Sequence, residues 1–156
     1  MPDSRRKTLM DAIVERLRTI QIAAGYATDA GSNVHVWRDS RAAPFEAAEL
    51  PALNVRDLRR KGEQQLYDRQ DHVLSVSVEV VTGAGIVADQ VRKILADLEQ
   101  CIGVDRKWTV ASVAIALDTR PSEDEIAVQQ DGGAIAGARF DFDVIYRTKN
   151  FDPYNP

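Results

Sequence analysis

Between Asp71 and Ile102 the hydrophobic pattern changes period. Leu74, Val76, Val78 and Val80 alternate with Ser75, Ser77 and Glu79. That period of two predicts a strand with one buried and one wetter face. Thr82-Gly83-Ala84-Gly85 breaks the pattern. Val87, Val91, Ile94, Leu95, Leu98 and Ile102 then recur at spacings of three and four, the apolar stripe of an amphipathic helix. Asp89, Arg92, Lys93, Asp97 and Glu99 fall mostly off the stripe, which leaves them for solvent.

The same reading extends along the chain. Leu9, Ile13, Leu17 and Ile20, widened by Met10 and Val14, predict a helix from about Arg5 to Ala23. Asp3 or Ser4 offers N-cap chemistry, and Gly25 a stop. Val34 and Val36 mark a short strand, and Pro51 opens a second one over Ala52–Val55. Arg56 to Gln70 is too polar to show a period and reads as a long, mobile loop joining two strands. Trp108 to Leu117 reads as a strand. The segment 118–131 reads as an acidic loop, with Ser122 and Glu125 spaced as a capping box and Gly132-Gly133 as a turn. In the last strand Ala138, Phe140, Phe142, Val144 and Tyr146 share one face, while Arg139, Asp141, Asp143 and Arg147 share the other.

The elements fit one α+β domain over 1–156: a mainly antiparallel or mixed sheet of about five strands with two main helices packed on one face. Phe140, Phe142 and Val144 are expected to pack against both helices.

Composition narrows the function. The chain has 156 residues, 44% hydrophobic and 28% charged, with a net charge of −4 and a pI near 5.2. It carries no basic stripe for nucleic acid. Cys101 is the only cysteine, so no disulfide forms within the chain, and a reducing compartment is expected. The spacing places Cys101 as a packed thiol. No apolar run reaches the roughly 18 residues of a membrane span, and no secretory leader pattern is present.

Candidate chemistry is sparse. Gly83-Ala84-Gly85-Ile86-Val87-Ala88 fits G-x-G-x-x-G/A between a strand and a helix, the place of a dinucleotide fingerprint. Against it, the preceding strand is polar on one face, no second strand–helix–strand unit follows, and the only candidate acidic partner, Asp105, falls in a loop. His35 and His72 are far apart and read as surface residues; no metal motif is present. Asp141 and Asp143 read as the wet face of a strand, without a named base or nucleophile partner. No enzyme activity and no cofactor are expected. Basic Arg56, Arg59, Arg60 and Lys61 and acidic Glu123, Asp124 and Glu125 form two groups of opposite sign. They are the candidate interface residues, since arginine is enriched at protein interfaces.

The order of elements resembles the tail terminator (minor tail, or tail completion) proteins of long-tailed bacteriophages, over nearly the whole chain. The likeness rests on the helix Arg5–Ile22, the strand Pro51-Ala52-Leu53-Asn54-Val55 and the strand Val73–Val81. The glycine turn into the helix Val87–Leu98 and the closing strand from Ala138 to Thr148 complete it. The resemblance implies a structural protein that forms a hexameric ring on the end of the tail tube. Such a ring stops polymerisation and provides the surface for head–tail joining. Its implied partners are copies of itself, the tail tube protein and a head-completion or connector protein. DNA would pass through without specific binding, and no membrane is involved. The implied place is the virion tail, assembled in the host cytoplasm or encoded by a prophage. Another tail or neck component, and a nucleotide-binding enzyme using Gly83–Ala88, are the alternatives.

Overall fold

The computed structural model describes residues 3–83, 88–126 and 134–156. Helix α1 spans Arg5–Leu17. The Ser4 hydroxyl accepts from the Lys7 N–H at 3.3 Å, capping one of the helix's free donors. Leu9, Met10, Ile13, Val14 and Leu17 form its buried stripe. The helix ends sooner than its periodicity predicts. Thr19 and Ile20 donate to the carbonyls of Arg16 and Leu17, which tightens the last turn. A separate 3-10 turn, Ile22–Ala24, then ends at Gly25 with φ of 94°, a conformation glycine adopts without strain.

Strands β1 (Val34–Val36), β2 (Ala52–Gln65) and β3 (Arg69–Gly83) follow. Then come helix α2 (Ala88–Gly103) and a small hairpin of β4 (Thr109–Val110) and β5 (Val113–Ala114). Strands β6 (Asp118–Glu125) and β7 (Ala134–Lys149) close the fold. The main sheet has the order β1-β2-β3-β7-β6. β1 runs parallel to β2, and every other neighbour pair is antiparallel. The fold is α+β, with a mixed five-stranded sheet.

Both helices cover one face. Leu9, Ile13 and Leu17 from α1 and Val91, Ile94 and Leu98 from α2 join one cluster with Leu74, Val76, Val78 and Val80 of β3 and Phe140, Phe142 and Val144 of β7. Each fully buried apolar side chain of this size contributes about 1.5–3 kcal/mol. Phe142 is fully buried and stacks on Trp108 at 6.5 Å between ring centroids. The Trp108 indole N–H donates to Thr119 Oγ1 at 2.8 Å, which satisfies its one polar group inside the core. The Arg16 guanidinium lies 3.6 Å from the centre of the Trp108 ring.

Three expectations are corrected. The polar stretch 56–70 is not a loop but most of a hairpin: β2 pairs with β3 from Ala52↔Val81 to Gln65↔Gln70, and only a short turn at 66–68 joins them. Irregularities between Asp57 and Arg59 and between Gly62 and Gln64 shift the phase of β2 twice, which erases any period-two signal. The acidic stretch is likewise strand over Asp118–Glu125, paired with β7 from Asp118↔Ile145 to Glu125↔Arg139. Ser122 and Glu125 therefore form no capping box; residues 127–131 and Gly132-Gly133 lie outside the described residues. The expected strand Trp108–Leu117 is instead the β4–β5 hairpin. Its turn residues Ala111 and Ser112 have φ of 48° and 66°, the paired positive values of a tight two-residue hairpin turn. Ile115 and Ala116 are then buried in succession, donating to the carbonyls of Trp108 and Lys107.

Candidate subunit interface

Side chains directly opposite in a ladder share a face of the sheet. On the face away from the helices one row reads Arg56, Ser77, Asp141, Glu123 across β2, β3, β7 and β6. Another reads Lys61, Val73, Ile145, Asp118, and between them runs Arg59, Ser75, Asp143, Arg120. The two predicted groups thus do not meet within one copy. They sit on opposite sides of one sheet, separated by β3 and β7. Arg56, Arg59 and Lys61 share the outer face with Glu123 and Glu125. Arg60, opposite Leu74, and Asp124, opposite Phe140, turn to the helix side.

Both groups lie on uncovered strand edges. β1 pairs with β2 only over Leu53–Val55, and among the described residues no strand covers Arg56–Gln65 on that side. β6 ends the sheet. Arg59, Arg60 and Lys61 are exposed, as are Glu123, Asp124 and Glu125. Arg56 is held to Glu79 at 3.4 Å, while Arg59 and Lys61 make no ion pair among the described residues. On the acidic side one cation, Arg139, lies between Asp141 at 3.0 Å, Glu125 at 3.7 Å and Glu123 at 3.8 Å. One guanidinium faces three carboxylates, so the β6 side keeps an acidic excess.

The remaining candidates take part in packing and hydrogen bonding within the fold. Cys101 is fully buried, burial raises its thiol pKa, and Sγ donates to the Arg16 carbonyl. His35 is half-buried edge-on to Phe45. His72 was expected at the surface and is buried, because the helix-side face of β3 continues to it in register with Leu74. Its Nε2 lies 2.9 Å from Thr148 Oγ1. Burial, and Arg60 second, lower its pKa. Ser75 Oγ donates to Asp143 at 2.7 Å, which accounts for that carboxylate as part of the sheet's polar face.

Among the described residues no group of three or more His, Cys, Asp or Glu side chains is placed to hold a metal. Of the glycine motif, residues 84–87 lie outside the described residues. The strand before it, β3, has antiparallel neighbours on both sides, whereas a dinucleotide crevice is built on parallel strands. Asp89 places a carboxylate in the first turn of α2, where a bound phosphate would need positive potential.

The sequence leaves Phe151 free to be exposed in the tail but does not place it beside Tyr67. Tyr67 and Phe151 are both fully exposed at the same end of the sheet. Asn150 ties their turns together, its N–H donating to the Asp68 carbonyl at 3.0 Å and its Nδ2 to the Tyr67 carbonyl at 3.3 Å. Phe151 has φ of 58°, a strained value for an aromatic residue. Isolated aromatic residues in polar segments carry no periodic signal.

The chain matches no family model, and no curated protein matches it. Among the described residues no helix is long and apolar enough to cross a membrane.

Proposed function

We propose that this protein is a structural subunit of a phage tail, a tail terminator. Copies close head to tail into a ring on the end of the tail tube, stop its polymerisation and present a surface for the head's connector. The observation that carries this reading is the pair of uncovered edges of one sheet, basic on β2 and acidic on β6. Two different, complementary patches on one chain generate head-to-tail contacts, and those close into rings when the rotation permits. The order of elements that resembles tail terminators sets the biological context, and six is the ring size that resemblance implies.

The rest of the surface suits this role. A net charge of −4 disfavours phosphate contacts, so DNA passes without being held. Tyr67 and Phe151 supply exposed aromatic surface for the tube or connector, a residue class enriched at protein contacts. The protein acts without catalysis or cofactor, in the virion tail, after assembly in the host cytoplasm. A different tail or neck component would use the same edges, and only the phenotype separates the two. Deleting the gene from its phage or prophage and imaging the lysate decides. Overlong, headless tails are expected. Tails of normal length with full infectivity would refute the assignment.

A further inference from the structure

We infer that neighbouring copies join by strand addition, with β6 of one copy extending the sheet of the next along the free edge of β2 in a single stepped register. This rests on the ring-forming reading and names the contact that reading requires. β2 is antiparallel to β3, β3 to β7 and β7 to β6. β6 therefore runs opposite to β2. A second copy laid against the first in the same sense presents β6 antiparallel to β2, the sense of every contact in this sheet except β1–β2.

The ladders restrict the register. With the sheets level, Glu123 stands opposite Arg56 and Glu125 opposite Asn54 of the next copy. That position is blocked, since β1 already occupies Leu53–Val55. One row further along, Glu123 meets Arg59 and Glu125 meets Arg56, but Asp124 meets Asp57 and Arg120 meets Lys61, both like-charged. Asp57 is also engaged there by Arg6 and by the Trp37 indole.

Two rows along, the charges match. Glu123 stands opposite Lys61, Asp124 opposite Arg60 and Glu125 opposite Arg59. Each pair shares a face: Glu123, Glu125, Lys61 and Arg59 on the outer side, Asp124 and Arg60 on the helix side. Each strand also carries one extra residue within this span. β6 carries its extra residue, Ser122, between Pro121 and Glu123, and β2 carries Glu63 between Gly62 and Gln64. In this register 120–125 runs against 59–64 residue for residue, and Arg120 falls opposite uncharged Gln64. Pro121 removes one ladder donor.

Charged, bulged edges also protect a sheet from unwanted pairing. Here the signs differ between the edges. β2 against β2 and β6 against β6 are repelled, and only the head-to-tail contact is attractive. Six paired residues are few against the roughly 1,600 Å² of a standard interface. Pairwise association is therefore weak and strengthens when the ring closes or the tube holds the copies together.

Disulfide trapping in a Cys101→Ser background reads the register. Within one copy β2 and β6 are three strand spacings apart, roughly 14 Å, beyond the roughly 7 Å between Cα atoms that a disulfide spans. Any disulfide between them therefore joins two copies. Lys61→Cys with Glu123→Cys should cross-link under mild oxidation at least about tenfold faster than Arg56→Cys or Arg59→Cys with Glu123→Cys, since only the first pair is brought within bonding distance. In a second arm, Arg59→Glu, Arg60→Glu and Lys61→Glu in one chain should abolish self-association. Mixing it with a chain carrying Glu123→Lys, Asp124→Lys and Glu125→Lys should restore it, which also shows that both variants fold. Equal or faster trapping in the other registers overturns the inference. Oligomers seen by light scattering without Lys61–Glu123 capture overturn it too and leave the ring reading intact. No capture between copies in any register overturns it as well, and the deletion phenotype then judges the ring reading separately.

Discussion

Asp97 gives the sharpest test of the fold's logic. It sits on α2 and is only 3% exposed. One oxygen accepts from the Ala27 N–H at 2.9 Å. The other accepts from the Thr28 N–H at 2.9 Å and the Thr28 hydroxyl at 2.6 Å. The carboxylate thus pins the loop after Gly25 against α2. Replacing it with alanine strands the Thr28 N–H in a buried site, while the Ala27 N–H, on an exposed residue, can turn to water. A stranded donor costs about 1–3 kcal/mol, while the Thr28 hydroxyl can rotate toward another acceptor. Asp97→Ala should therefore lower stability by about 2–3 kcal/mol, a sizeable part of the roughly 5–15 kcal/mol of an ordinary domain. Asp97→Asn keeps one acceptor but turns an NH₂ toward an N–H, and should cost about 2 kcal/mol. Urea unfolding measures both, and amide exchange at Ala27 and Thr28 should accelerate before global unfolding. A loss below about 1 kcal/mol for Asp97→Ala would show that the loop stands without this anchor.

Phe142→Ala should cost about 3–5 kcal/mol by urea unfolding, the usual loss at an emptied aromatic core site; a loss under about 1 kcal/mol would mean that its contacts with Trp108 and Phe140 contribute little. Glu49 accepts two hydrogen bonds from Arg38, at 2.6 and 3.0 Å, and this pairing, with the Glu46 N–H second, lowers its pKa from 4.5 to about 2. Since the folded value lies below the unfolded one, the pairing stabilises the segment around Arg38 above about pH 4.5 and is lost as pH falls toward 2. An NMR titration of the Glu49 carboxyl should show the low midpoint, and a midpoint near 4.5 would refute the pairing.

The helices and the centre of the sheet were legible because their environment is one-sided. β3 and β7 bury alternate residues against α1 and α2, so Leu74 to Val80 and Phe140 to Tyr146 write the sheet's inner face directly into the sequence. Asp97 was not legible. It falls beside the apolar stripe of α2, and only the return of the chain at Ala27 and Thr28 turns that position into a buried one. The outer strands failed for a different reason. β2 beyond Val55 and β6 beyond Thr119 are wet on both faces, so burial imposes no alternation there. Backbone pairing with β3 and β7 specifies them, and composition does not record it. Of the candidate interface, the residues and their signs were readable. Their placement on opposite edges of one sheet required the topology.

The features that disguised β2 and β6 as loops follow from what such edges must do. A strand left open at the end of a sheet exposes unpaired N–H and C=O groups to any other chain. An apolar edge would aggregate, and two edges of like sign would stay apart from every copy. In the ring-forming reading, a subunit needs edges inert toward themselves and receptive to each other. Opposite charge achieves this and acts mainly on encounter and orientation. The charges also fix the register: a slide by one row brings Asp124 against Asp57 and Arg120 against Lys61. β1 adds a stop, because its cover over Leu53–Val55 blocks the level alignment and forces a step at every boundary. A step repeated in the same direction is what a sheet closing on itself requires, since strands in a closed sheet tilt and their register shears around the circumference. On this argument the short β1 strand, which contributes little to the core, sets how far each copy is displaced from the last.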